Sequence, residues 1–251
     1  MKVLGFTLSG KTAFFKNPEV NSYVYFTYGN IHKIALLGIF GAILGYGGHT
    51  KKYSQINRKE SLKESYPEFY ERLSELKISI VPNAEHGIFQ KNIQSFNNSV
   101  GYASREQGGN LIVKEQWLEE PSWDIFVLLD CEEAEKLCDA ILSKRSVYIP
   151  YLGKNDHYAD ISGVHVIECS KVSTGEGRIN SLFLKEKGEL QEDNFFDDQN
   201  VASYKYAEKL PYQMDIWTNH SILETFIYTD SIIVWEEQDV YQIEDKMVMF
   251  Y

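Results

Sequence analysis

The chain has 251 residues, 43% of them hydrophobic and 14% aromatic, enough to bury a substantial core and too apolar for a disordered segment. Its net charge of −11 argues against a nucleic-acid partner only until its distribution is read. Residues 1–59 carry eight Lys/Arg against Glu19 alone, a balance of +7, while residues 186–251 carry fifteen acids against four bases, a balance of −11. Such polarity suits a phosphate-facing end and a solvated or protein-facing end, although a charge run is also an ordinary solvated face.

Lys2–Ser9 alternates as a strand, with Phe6 and Leu8 on one face. Asn17-Pro18 breaks the chain, and SYVYFTY (22–28) reads as a second extended piece. Asn30 is the expected N-cap of the helix IHKIALLGIFGAILGY. Its apolar run, Ile34 to Tyr46, falls short of the roughly 20 residues that cross a bilayer. Nothing at the N-terminus resembles a signal peptide. A basic polar segment with a short helix follows, then the strand Leu76–Pro82 and a polar stretch from Asn83 to Asn110, too long for a plain connection. LIVKEQWLEE and WDIFVLLD read as paired strands turned at Pro121-Ser122. CEEAEKLCDAILSKR is a helix with acids leading and an apolar face of Ala134, Leu137, Cys138, Ile141 and Leu142. VYIPYLG, GVHVIECS, SIIVW and KMVMFY supply later strands. The three cysteines, Cys131, Cys138 and Cys169, have no metal-ligand spacing and are expected to be reduced thiols in a cytoplasmic protein. No cofactor or metal set is expected.

The order β-α-β-β-α-β over the first two-thirds predicts an α+β fold: a ferredoxin-like (RRM-like) βαββαβ plait with a thumb-like β-hairpin insertion at about 83–110 and a β-rich C-terminal extension. Its open sheet face is a common RNA platform. The expected division is residues 1–172 as the ferredoxin-like domain and 173–251 as an acidic, β-rich region packed on it.

GFTLSGKT (5–12) satisfies the phosphate-loop pattern G-x-x-x-x-G-K-[ST], and IFVLLD ends in an acid, Asp130, where such enzymes place a magnesium ligand. Context opposes the match. A working phosphate loop turns at once into a helix, whereas Thr12 is followed by AFFKNPEVNSYVYFTY, with β-type composition and Pro18. Asp130 has a simpler role as a cap or first-turn acid of the helix at Cys131.

Gly38, Gly41, Gly45 and Gly48 fall along one helical face. Each interior Gly costs roughly 1 kcal/mol against Ala, so close backbone packing or close approach of a ligand must compensate. The strand, basic-aromatic segment, SYVYF and ALLGIFGAILG succession, then KISIVPN, FQKNIQSFNN and VYIPYLGKNDHYADI, resembles the Cas-five family of CRISPR-associated Cascade subunits, closest to type I-B-like members. These segments lie within residues 2–161, and the acidic tail matches only loosely.

The resemblance implies a non-catalytic RNA-binding scaffold in antiviral defence. It would cap the 5′ handle of the CRISPR RNA (crRNA) and join the backbone-filament subunit to the large subunit of a ribonucleoprotein complex, with room for target DNA and without a membrane. It maps RNA contact to Lys11, Phe14 and Lys16 after the first strand, and to Gly45, Tyr46, Gly47, Gly48 and His49 at the helix end. Lys51, Lys52 and Arg58 continue that basic segment. The hairpin, about Phe89 to Gln107, offers Phe89, Lys91, Gln94, Asn97 and Arg105, and the loop after YLG offers Lys154, Asn155 and His157. Lysines neutralise phosphates, bare glycine backbone admits a phosphodiester, and aromatic rings stack on bases. Each also has a plainer reading: Phe14 as core, His157 as a satisfied histidine, the hairpin polars as solvated. Some family members cut the precursor RNA, for which Tyr46, His49 and Lys51 are the right types. The alternatives are thus a metal-independent endoribonuclease, more remotely a nucleotide hydrolase, and a pure protein-interaction module.

Overall fold

The computed structural model describes residues 1–19, 22–56, 65–99, 101, 105–107, 109–190 and 204–251. The first part of the chain runs β1 (Lys2–Ser9), β2 (Thr12–Ala13), α1 (Lys33–Leu44), α2 (His49–Ile56), α3 (Glu68–Leu73), β3 (Ile78–Pro82), β4 (Lys91–Asn97), β5 (Ile112–Glu119), β6 (Ser122–Leu128), α4 (Glu132–Leu142) and β7 (Asp160–Glu168). Four of these strands form one sheet in the order β3-β6-β1-β7, every neighbour antiparallel. The mixed α/β, mostly antiparallel arrangement is compatible with a ferredoxin-like class. β4, β5 and β2 form a separate three-stranded sheet, with β4 and β5 as a hairpin in the register Lys91↔Leu118 to Asn97↔Ile112.

The rest of the chain is β8 (Ser170–Lys171), β9 (Gly175–Gly177), β10 (Phe183–Leu184), β11 (Glu189–Leu190), β12 (Lys205–Met214), β13 (Ser221–Thr229), β14 (Ile233–Trp235), β15 (Val240–Ile243) and β16 (Lys246–Met249). It makes three further antiparallel sheets, β10-β13-β12, β11-β14-β9 and β16-β15-β8.

α1 is apolar on nearly every side because it is covered on nearly every side. Leu36, Leu37, Ile39, Phe40 and Ile43 are buried, and the helix meets α3, α4 and β12 as well as the sheet, where Phe40 packs edge-on to Phe6. Burial of this kind, about 1.5–3 kcal/mol per large side chain, offsets the helix glycines. α4 keeps the expected one-sided pattern, with Ala134, Leu137, Cys138 and Ile141 buried, while Leu142 is exposed.

The sheet carries a second core on its other face. Tyr241, Ile243, Val248 and Phe250 pack with Val3, Phe126 and Leu128, so consecutive residues Val3 and Leu4 are both fully buried. The expectation of an open platform is corrected accordingly: the acidic C-terminal region supplies the strands that cover much of it. Beyond that core the same face is polar, with Asp124 accepting from Thr7 Oγ1 at 2.9 Å and pairing with Lys246 at 2.8 Å.

Several local expectations also change. The N-cap of α1 is His32, whose Nδ1 accepts from the Ala35 amide at 3.2 Å. Asn30 is instead fully buried, accepting from Trp123 Nε1 at 2.9 Å and donating to the Gly87 carbonyl at 3.0 Å. That pairing satisfies the indole of a large core side chain. SYVYFTY forms only isolated bridges, Lys16↔Thr27 and Tyr25↔Glu115. β5 and β6 belong to different sheets, because the turn at Pro121 sends the chain from the hairpin sheet into the main one. VYIPYLG is an irregular loop, closed by the bridge Tyr151↔Tyr158. Cys131 caps α4, and Asp130 pairs with Lys77 at 3.4 Å. No helix among the described residues is long and apolar enough to cross a membrane.

Candidate nucleic-acid interface

The phosphate-loop pattern lies in extended backbone: Gly5 to Ser9 belong to β1, and Gly10-Lys11 turn directly into β2. Among the described residues no helix begins before Lys33. The Gly10 amide donates to the Pro121 carbonyl at 3.1 Å, and a Cβ there would sit 2.6 Å from Leu152 and 2.8 Å from the Tyr158 carbonyl oxygen. Gly10 is small because the 150s loop presses on it. Lys11 is exposed beside that contact.

The loop between α4 and β7 draws the predicted segments together. The Phe14 amide donates to the Leu152 carbonyl at 3.1 Å. Gly153 turns in the left-handed region at φ +88, and a Cβ there would lie 1.9 Å from the Phe14 oxygen. His157 is 2% exposed, with its Nδ1 2.6 Å from Thr12 Oγ1 and its ring edge-on to Trp117 at 4.6 Å. Burial, then Lys154, lowers its pKa, so the ring is neutral in the folded protein at physiological pH. Lys154 Nζ bonds both oxygens of Glu115, at 3.1 and 3.2 Å, with the rings of Phe96 and Phe14 at 5.2 and 5.9 Å. Trp117 Nε1 adds a bond to Glu115 at 2.9 Å. Hairpin, post-strand turn and 150s loop are therefore one locked unit.

Within it the predicted residues divide. Lys11, Lys16, Lys91, Asn97, Arg105 and Asn155 are exposed, and Gln94 is half-buried. Lys16 Nζ lies 4.1 Å from the Tyr25 ring centroid, and Asn97 spends its side-chain oxygen on the Ser99 amide at 2.9 Å. Phe14 and Phe89 are corrected: they are 3% and 7% exposed, Phe89 standing edge-on to Trp123 at 5.0 Å, and neither ring is free to take a base. His157 and Lys154 are structural for the reasons just given. Missed by the sequence reading are Tyr148, Tyr151 and Tyr158, exposed with Val147 and Ile149 on the same loop. The run VYIPY carries a signal, since Pro150 interrupts it and Gly153 follows it closely, as they would not in a central strand.

The glycine end of α1 also differs from expectation. Gly45 caps the helix at φ +82 with Val147 packed against it, which joins this end to the same loop. The Gly47 amide, expected to face a phosphate, donates to Glu68 at 2.9 Å, and Lys51 pairs with the same carboxylate at 2.9 Å. Gly48 and His49 are exposed, the His49 ring edge-on to Phe69 at 5.9 Å. Lys52 is buried and donates to Asn219 at 2.6 Å and to the Ser65 carbonyl; it is corrected from an RNA contact to an internal tie. Tyr46 donates to Glu133 with the Arg72 guanidinium 4.9 Å over its ring, and burial followed by the Glu133 bond raises its pKa. Tyr46, His49 and Lys51 thus have separate partners. Arg58 lies outside the described residues.

No protein-family model and no curated protein matches the chain. Among solved structures it is similar to a chain of a "CRISPR RNA-guided surveillance complex", with TM-score 0.51 and 13% identity over 91% of this chain and 90% of that one. It is also similar to a CRISPR protein from Archaeoglobus fulgidus, with TM-score 0.51 and 12% identity over 99% and 98% of the two chains. The chain has the fold of CRISPR-associated proteins. At this identity the likeness concerns the fold over nearly its full length, and the site residues must be argued from their own chemistry.

Proposed function

We propose that the chain is a non-catalytic crRNA-binding subunit of a type I Cascade-type surveillance complex, built on a ferredoxin-like plait. In this reading it caps the 5′ handle and bridges the backbone-filament and large subunits. The observation that carries it is the exposed Lys11 next to Gly10, on which the loop bearing the exposed Tyr151 and Tyr158 packs, beside the locked hairpin unit with Lys16 and Lys91, on a chain with the CRISPR-associated fold. Exposed lysines neutralise phosphates and exposed tyrosines stack on splayed bases. The same loop presents Val147 and Ile149, apolar side chains suited to a protein neighbour. The non-catalytic part is supported by Tyr46, whose proton is held toward Glu133, and by the separate partners of His49 and Lys51.

The test is titration of the protein with its labelled repeat RNA at several salt concentrations. Binding is expected to weaken with salt, and the double variant Lys11→Gln/Lys16→Gln to flatten the log–log slope by about 0.7 per lost contact. RNA recovered intact is expected with and without divalent metal. Cleavage abolished by His49→Ala would establish the endoribonuclease instead, and salt-independent binding would remove the electrostatic basis of the proposal.

A further inference from the structure

A cavity of about 420 Å³ opens between the first turn of α1, α3 with the turn after it, and β12. Lys33, the first residue of α1, lines it and is 8% exposed. Among the described residues its ammonium has neither a hydrogen-bond acceptor nor a carboxylate in reach, only the Tyr212 ring with its centroid at 5.3 Å. Three costs fall on this group together. It is desolvated, it stands at the positive end of a helix dipole, and it has no paired counter-ion, the charge of Glu75 acting only from a distance and that of Lys187 opposing it. Burial accordingly pushes the Lys33 amine down to about 8. A cation–π contact returns less than the burial of an ion costs.

The rest of the lining is consistent with a missing anion. Lys187 faces the same cavity, without an ion pair among the described residues. Asp239 is already neutralised by Lys171 at 2.6 Å and Lys77 at 3.5 Å, and Lys77 also pairs with Asp130. Glu75 is the remaining acid, exposed at the rim. Tyr212 and Tyr251 line the wall with hydroxyls that have no hydrogen-bond partner among the described residues. The size of the cavity suits a small molecule.

From this we infer that the cavity is a binding site for the phosphate group of a small soluble ligand, held by Lys33 and Lys187 with the tyrosine hydroxyls as further donors. The site is independent of the RNA-facing residues. Its lining shares no residue with Lys11, the hairpin or the 150s loop.

Thermal-shift and calorimetric titration of the full chain, at fixed ionic strength in chloride, test it with inorganic phosphate, ribose 5-phosphate, AMP and adenosine. The three phosphates, or the esters alone, are expected to bind and raise the Tm, while adenosine does not; free phosphate against the esters separates the two sources of the anion. Lys33→Met should abolish the effect, and Lys187→Met, at a half-exposed position, should raise Kd by at least about tenfold. Without ligand, Lys33→Met should melt no lower than the parent, because a costly buried cation has been replaced by an apolar chain of similar length. The inference is overturned by absence of a shift from every phosphate at millimolar concentration, by binding that survives both variants, or by a Lys33→Met protein destabilised without ligand. Protection by repeat RNA alone would equally overturn it.

Discussion

Replacing Lys154 with Met separates a structural lysine from an RNA-binding one. Glu115 is 6% exposed on β5 and receives both short bonds from Lys154, at 3.1 and 3.2 Å. Breaking a buried pair from the cationic side strands the carboxylate, a loss of about 3–5 kcal/mol in a dry interior. Two features reduce it here. The Lys154 side chain is 33% exposed, which lets water screen the interaction, and Trp117 Nε1 still donates to Glu115 at 2.9 Å. The expected cost is therefore roughly 2 kcal/mol, about a thirtyfold loss in the folding equilibrium. For a chain of this size that is a fall of about 0.5–1 M in the urea midpoint. Glu115→Gln should cost less, under about 1 kcal/mol, because Lys154 can turn to water and to Asp156, 3.6 Å away. Combined with Lys154→Met, it should recover more than half the loss. The assay is urea unfolding followed by tryptophan fluorescence, with RNA titration of each variant where it is fully folded. Lys154→Met should leave the salt slope of RNA binding as in the parent. A midpoint unchanged in Lys154→Met, or a slope lowered as much as in Lys11→Gln, would refute the structural assignment.

The glycines of α1 offer a paired test in the same unfolding assay. A Cβ on Gly38 meets nothing within 4 Å, so Gly38→Ala should stabilise by about 0.5–1 kcal/mol, while one on Gly41 falls 2.6 Å from the Phe69 Cβ and Gly41→Ala should destabilise. Equal effects of the two would show that helix propensity, not packing on α3, governs these positions. Acid sensitivity should follow His32, whose pKa burial lowers from 6.5 to about 3. Below 6.5 the unfolded chain takes up a proton that the folded chain refuses, so stability is complete above that pH and declines as pH falls toward 3, by about 1.4 kcal/mol per unit. His32→Asn keeps a cap acceptor for the Ala35 amide and should flatten the change in urea midpoint between pH 7 and pH 5. An unchanged pH profile in that variant would assign the acid loss to other groups, His157 first among them.

How much of this was legible in the sequence depends on whether the determining contact is local. α4 could be read because its acids, apolar face and length act within a few turns. β1, β3 and β6 could be read because strand composition and boundaries are local signals too. The His32 cap could not, since preferring His32 to Asn30 requires knowing that Trp123, 93 positions away, claims the Asn30 carbonyl. The same distance effect decides the candidate site. Phe14 and Lys154 carry the chemistry expected of RNA contacts, yet one is taken into the core and the other by Glu115, partners that only the folded chain supplies. Lys11 escapes because the glycine before it brings Leu152 and Tyr158 close to the backbone without enclosing the next side chain. A glycine-lysine pair at the end of a strand therefore has a second physical explanation besides a nucleotide phosphate. The glycine admits a packed loop, and the lysine beyond it is left facing water, free to meet the phosphates of a long polyanion. The element after the lysine distinguishes the two explanations, a helix in one and a strand in the other, and here β2 begins at the next residue.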